Sequence, residues 1–157
     1  MAAALVKRLD ALGIDVAVLE SDELRKVFTP HPVYSEEERN TFYQAMAYIG
    51  KLLVEHGVPA IFDATANRRV YRDRARHQIV KFLEVYVDCP LTVCTQRDPK
   101  GVYRKAQEGG ASTVPGFQVP YEPPECPDVI VSGDRDSPEA AAENVVSALI
   151  ERRYLQA

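Results

Sequence analysis

Apolar and polar positions along this chain follow two periods in alternation. Leu5, Leu9 and Leu12 recur at helical spacing before Gly13, which predicts a short amphipathic helix closed by glycine. The apolar run DVAVLE (residues 15–20) suits a strand buried on both faces, and Ser21 is placed to cap the short turn DELR that follows. A long helix is predicted from SEEERN, where Ser35 and Glu38 have capping-box spacing and the glutamates favour the positive helix end. Phe42, Met46, Ile49 and Leu53 then share one face, and Gly57 stops the helix. VPAIFDAT (58–65) reads as a second buried strand with Asp63 at its carboxyl end. Residues 68–80 read as helix, 82–88 as a third strand, and Pro90 opens another helix. A fourth strand is expected at 127–133. Ser137-Pro138 starts the last helix, with Ala141, Val145, Ala148 and Leu149 inward and Arg152-Arg153 near its negative end.

Strands alternating with helices at this spacing predict a parallel sheet covered on both faces. Ligands of such sheets bind at the carboxyl ends of the strands. Asp22, Asp63 and the loop after Arg97 all map to that edge. Between Asp98 and Pro127 the texture changes: Pro99, Pro115, Pro120, Pro123, Pro124 and Pro127 crowd together with Gly101, Gly109, Gly110 and Gly116. A long functional loop or lid is expected at about 98–127. The length of 157 residues fits one domain with a real core, and no repeat or linker breaks it.

Composition narrows the partners. A formal net charge of −4 argues against nonspecific nucleic-acid binding, which needs a basic surface, but leaves room for small anions gripped by a few arginines. No apolar run reaches the ~18–20 residues that cross a bilayer, and the first residues carry no signal-peptide pattern. Cys89, Cys94 and Cys126 form no CxxC pair, so a reduced cytoplasmic protein is expected. His31, His56 and His77 share no metal-ligand spacing, and no zinc site is expected.

Three constellations converge on the ligand edge. In ESDELR, Glu20 and Asp22 suit orienting a hydroxyl or a metal-bound water, and Arg25 suits forking onto phosphate or sulfate oxygens. The same residues also suit a capped helix start with an internal ion pair. In FDATANRR, Asp63 stands where nucleotide-hydrolysing folds hold Mg2+ through its waters, or serves as a turn former. Arg69 is the arginine of that stretch nearest the strand end; its neighbours read as a solvated helix face. In QRDPKGVYRKAQEGG, Arg97, Lys100, Arg104 and Lys105 form a basic segment that either closes over phosphates or is simply solvated.

Taken together, these stretches resemble the adenylylsulfate kinases, P-loop phosphotransferases that make 3′-phosphoadenylylsulfate from ATP. The resemblance spans essentially the whole chain. Its most specific part is VYVDCPLTVCTQRDPKGVYRKAQEG followed by PYEPPECPDVIV, against the family's R-D-x-K-G-L-Y-K-K-A and P-Y-E-x-P. LESDELR matches L-D-G-D-N-[VI]-R, and VYSEEER matches G-F-S-E-E-D-R. The resemblance implies a three-layer α/β/α P-loop nucleoside-triphosphate-hydrolase fold, Mg2+ with ATP as donor, small nucleotide substrates, and a homodimer as one assembly open to it. It puts Asp22 at the catalytic aspartate near the accepting 3′-hydroxyl and Mg2+; Asp63, from its place at the strand end, is a further candidate contact to that ion. Arg25, Arg39 and Arg69 fall at substrate-binding positions, Tyr34 near the substrate adenine, and Arg97 and Lys100 in the lid over ATP.

The departures are specific. Glu20 replaces the first aspartate of D-G-D, Phe42 a substrate-contacting asparagine, Ser112 a substrate lysine and Val114 a phenylalanine that stacks on adenine. TANRR keeps only Arg69 of I-S-P-[FY]-R. They favour, as a second reading, a related kinase acting on another nucleotide-like or sugar hydroxyl. The family's first helix follows a strand and a G-x-x-G-x-G-K-[ST] turn, which this sequence does not contain. EGG at 108–110 is the nearest substitute. A start inside a longer protein is therefore expected, with two strand edges unpaired and marginal stability for the chain alone. A third reading is a remnant without phosphotransfer that pairs with another subunit or binds anions.

Overall fold

The computed structural model describes residues 1–155. In chain order the elements are α1 (Ala2–Asp10), β1 (Ala17–Glu20), α2 (Ser21–Phe28), α3 (Glu36–Glu55), β2 (Ala60–Asp63) and α4 (Arg69–Gln78). They continue with β3 (Val85–Asp88), α5 (Leu91–Arg97), α6 (Val102–Gln107), β4 (Val129–Ser132) and α7 (Pro138–Glu151). β1 pairs in parallel with β2, and β3 with β4; no ladder joins the two pairs among the described residues. Each strand thus keeps one edge without a ladder among the described residues.

Side chains that alternate along the strands separate two cores, which is how a sheet carries helices on both sides. On β2, Ile61 packs with Leu5, Leu9, Val145 and Val146 of α1 and α7. Phe62 packs with Phe42, Tyr43, Met46 and Tyr71 of α3 and α4. Gly50 of α3 makes that second contact: a Cβ there would run into the Phe62 ring. The cover is incomplete, because Val18 and Ile130 are 43% and 60% exposed, so these strands are not buried on both faces as expected.

Helix starts follow local chemistry. Ser35 Oγ accepts the Glu38 N–H at 3.1 Å and Ser137 Oγ the Ala140 N–H at 3.1 Å. Gly57 takes φ 79° just past the C-terminus of α3. Two expectations change. Ser21 is not a cap but the first residue of α2, whose N-cap is Glu20 without a side-chain bond. The Pro- and Gly-rich stretch also holds α6, whose amides find a carboxylate in Asp98. None of the described helices is long and apolar enough to cross a membrane.

Candidate active site

The carboxyl ends of β1 and β2 lie side by side, since the parallel register sets Glu20 against Asp63. The chain turns from Glu20 directly into α2, so Asp22 sits in the first helical turn, where the positive helix end favours a carboxylate. Lys100, between α5 and α6, donates to Asp22 Oδ2 at 2.5 Å and lies 3.7 Å from Glu20 Oε1. Its ammonium is held above the ordinary lysine range, first by Asp22 through hydrogen bond and charge, then by Glu20 and Asp63. Among the described residues no group of three His, Cys, Asp or Glu side chains stands ready to hold a metal by itself. Glu20, Asp22 and Asp63 nonetheless supply only oxygen donors, the kind a hard divalent cation takes while keeping several waters. The Lys100 ammonium on Asp22 marks the same spot as one that favours positive charge, so the donor set fits such a cation.

One turn along α2 from Asp22, on the same face, Arg25 is only 8% exposed. Its Nη1 reaches Glu38 Oε1 at 3.4 Å and Thr29 Oγ1 at 3.5 Å. Its Cζ stands 3.9 Å from the centre of the Phe42 ring and 5.2 Å from that of Tyr34. Arg25 Nε and Nη2 take no hydrogen-bond partner among the described residues, which leaves one edge of the fork for an anion.

Tyr34 has φ 54°, a left-handed conformation that a bulky residue holds only with outside support. Glu38 gives that support, accepting the Tyr34 N–H at 3.2 Å and the Val33 N–H at 2.7 Å. The Tyr34 carbonyl accepts Arg39 Nε at 3.1 Å, and the Arg39 guanidinium lies 5.3 Å over the Tyr34 ring. Arg39 also donates through Nη2 to the Thr113 carbonyl at 2.7 Å. It therefore ties the start of α3 to the 98–127 segment.

That segment is anchored at several further points. Asp98 accepts the Tyr103 and Arg104 N–H groups at 3.2 and 2.9 Å, which holds its carboxyl below the usual range, the Arg104 amide first. Gln118 braces the tip by bonding the Val114 N–H and the Ala111 carbonyl, and Val114 is buried. Asn67 donates to the Pro120 carbonyl at 3.0 Å, and Glu122 accepts the Arg69 N–H at 2.8 Å.

Two arginines expected in the site point elsewhere. Arg69 pairs with Glu125, and Arg97 donates to the Gly133 carbonyl at 2.6 Å. Asp63 is exposed at its strand end and reaches Lys100 only through charge. The EGG stretch follows the C-terminus of α6, the carbonyl pole of a helix, which is unsuited to phosphate. Sequence reading missed Asp98, Asn67 and Glu122, and took Glu38 only as half of a capping box. The one local signal was an aspartate just ahead of a helix, at Asp98.

This is the site of an α/β nucleotide phosphotransferase: carboxylates at the ends of β1 and β2 and the start of α2, guanidinium groups from α2 and α3 beside them, and a basic segment that reaches the carboxylates through Lys100. The sequence profile of the Adenylylsulphate kinase family matches residues 1–132, and the chain belongs to that family. It is 36% identical over 152 residues to the adenylyl-sulfate kinase of Synechococcus sp. (strain JA-3-3Ab), covering 97% of this chain and 86% of the relative. It is 38% identical over 155 residues to a probable adenylyl-sulfate kinase of Pyrococcus abyssi, covering 99% and 89%. The structure also superposes on the Mycobacterium tuberculosis APS kinase solved in complex with AMPPNP and APS. There the TM-score is 0.87 at 30% identity, covering 94% of this chain and 87% of that one.

Proposed function

We propose that this protein transfers the γ-phosphate of ATP to the 3′-hydroxyl of adenylylsulfate, and that residues 1–157 form one domain whose 98–127 segment is a lid. The observation that carries the reading is the meeting of Lys100 with Asp22, at 2.5 Å, one helical turn from the open fork of Arg25.

Asp22 orients the acceptor hydroxyl and takes its proton as the phosphoryl group arrives. Arg25 holds the phosphosulfate through Nε and Nη2, Arg39 supports it from the lid side, and Tyr34 offers its ring to the adenine. Lys100 exchanges the Asp22 carboxylate for donor phosphates when the lid closes, and Arg97 and Arg69 join after leaving their present partners. Mg2+, held by Asp22 and Asp63, would neutralise charge on the phosphates. The free cysteines suit a reducing compartment, the cytoplasm, and a homodimer is the assembly we favour.

A second reading, phosphorylation of another nucleotide-like or sugar hydroxyl, is favoured by Phe42 beneath Arg25 and by the burial of Val114. A coupled assay for ADP release, run with adenylylsulfate and with sugar and nucleoside acceptors in parallel, separates the two. ADP release only with adenylylsulfate supports the first; release only with another acceptor supports the second.

A further inference from the structure

Phe42 is a buried aromatic at 2% exposure, and one face of its ring lies 3.9 Å from Arg25 Cζ. The ring is packed against other aromatic side chains. Tyr43 meets Phe42 edge-on at 5.3 Å and stacks on Tyr71 at 4.6 Å. Among the described residues Arg25 has one carboxylate within reach, Glu38 at 3.4 Å. That carboxylate already accepts two backbone N–H groups, from Val33 and Tyr34.

A buried guanidinium held by a bidentate carboxylate would be fixed but neutralised, and an incoming anion would have to displace its partner. A ring face fixes the plane of the guanidinium while leaving its charge and its free edge available. We infer that Phe42 is a positioning residue for anion recognition: its ring holds Arg25 in register so that Nε and Nη2 take the anionic group of the acceptor. This rests on the reading of Arg25 given above. It accounts for an apolar side chain at a position where a polar contact to substrate was expected. Phe42 acts through Arg25 rather than by touching the acceptor.

The test is titration of the full chain with adenylylsulfate and with adenosine, which lacks the anion, followed by calorimetry. The quantity read is the ratio of the two affinities, which a general loss of packing would leave unchanged. Phe42→Leu should reduce the preference for adenylylsulfate by roughly tenfold, within the range of a desolvated cation–ring contact. Phe42→Tyr, which keeps the ring face, should restore it. Pentafluorophenylalanine at position 42 keeps the shape and reverses the ring's charge distribution, so it should lower the ratio even if Phe42→Leu folds poorly. An unchanged ratio with the fluorinated ring overturns the inference, provided Arg25→Gln contracts it. If Arg25→Gln also leaves the ratio unchanged, the reading of Arg25 itself fails, and this inference with it.

Discussion

Lys100 and Asp22, 78 residues apart, meet at 2.5 Å, so the basic segment after α5 is tied to the acidic end of β1. Both side chains are more than half exposed, at 63% and 57%. An exposed pair of this kind contributes about 0.2–1 kcal/mol, enough to bias the segment and weak enough for a ligand to replace. Lys100→Met should therefore leave the melting temperature within a degree or two while speeding cleavage of 98–127 several-fold. Limited proteolysis with chymotrypsin, which has Tyr103 and Phe117 as sites there, reads this directly.

Asp22→Asn keeps the shape of the side chain and removes the proton acceptor. Turnover with adenylylsulfate should fall on the order of 10²–10⁴-fold, while acceptor affinity stays within about threefold, because Arg25 holds the anion. Steady-state kinetics with a parallel binding titration separates the two effects. A fall in affinity with normal turnover would move Asp22 out of its role.

Asp128 joins β3, β4, α4 and α7 through Arg76 at 2.8 Å, Arg152 at 2.7 Å and the Glu84 N–H at 2.7 Å. Burial pushes its carboxyl up, but the Glu84 amide and the two arginines outweigh this and hold it below the ordinary aspartate value. The folded pKa is thus lower than the unfolded one. The stabilisation is complete above about pH 4 and is lost as pH falls through the folded pKa. Asp128→Ala should destabilise the fold by about 1–3 kcal/mol, since it leaves the Glu84 N–H without its acceptor and Arg152 without its carboxylate while Arg76 keeps Glu84 at 3.2 Å, and should flatten the acid limb of the stability curve. Urea denaturation between pH 3 and pH 7 measures both.

Gly50→Ala forces a methyl group into the Phe62 ring. Despite the better helix propensity of alanine, a loss of about 1–3 kcal/mol is expected. Phe62→Leu in the same chain should recover part of it, which a thermal melt of the two variants checks.

How much of this was legible in sequence depended on the range of the interaction. α3 was readable from end to end: Ser35 caps it, Phe42 and Met46 face the core, and Gly57 follows its end, all set within one or two turns. The strands were readable as elements but came out shorter, since Val16 and Val58 lie outside the ladders. Ser21 misled because a serine before a helical pattern looks like a cap whether the helix starts before or after it. The site was half legible. Asp22, Arg25, Tyr34 and Arg39 come together because α2 and the start of α3 place them locally. Arg69 and Arg97 point away because their partners, Glu125 and the Gly133 carbonyl, lie far along the chain. The same is true of the link from Arg39 to Thr113, which no periodicity predicts.

The most direct measurement is a calorimetric titration of the full chain with adenylylsulfate, repeated with Arg25→Ala and with Asp22→Asn. The account predicts saturable binding that Arg25→Ala weakens by more than tenfold, in line with a charge-assisted contact of about 1.5–3 kcal/mol, and that Asp22→Asn leaves nearly intact. Binding unaffected by Arg25→Ala, or tighter binding of a sugar or uncharged nucleoside than of adenylylsulfate, would contradict it.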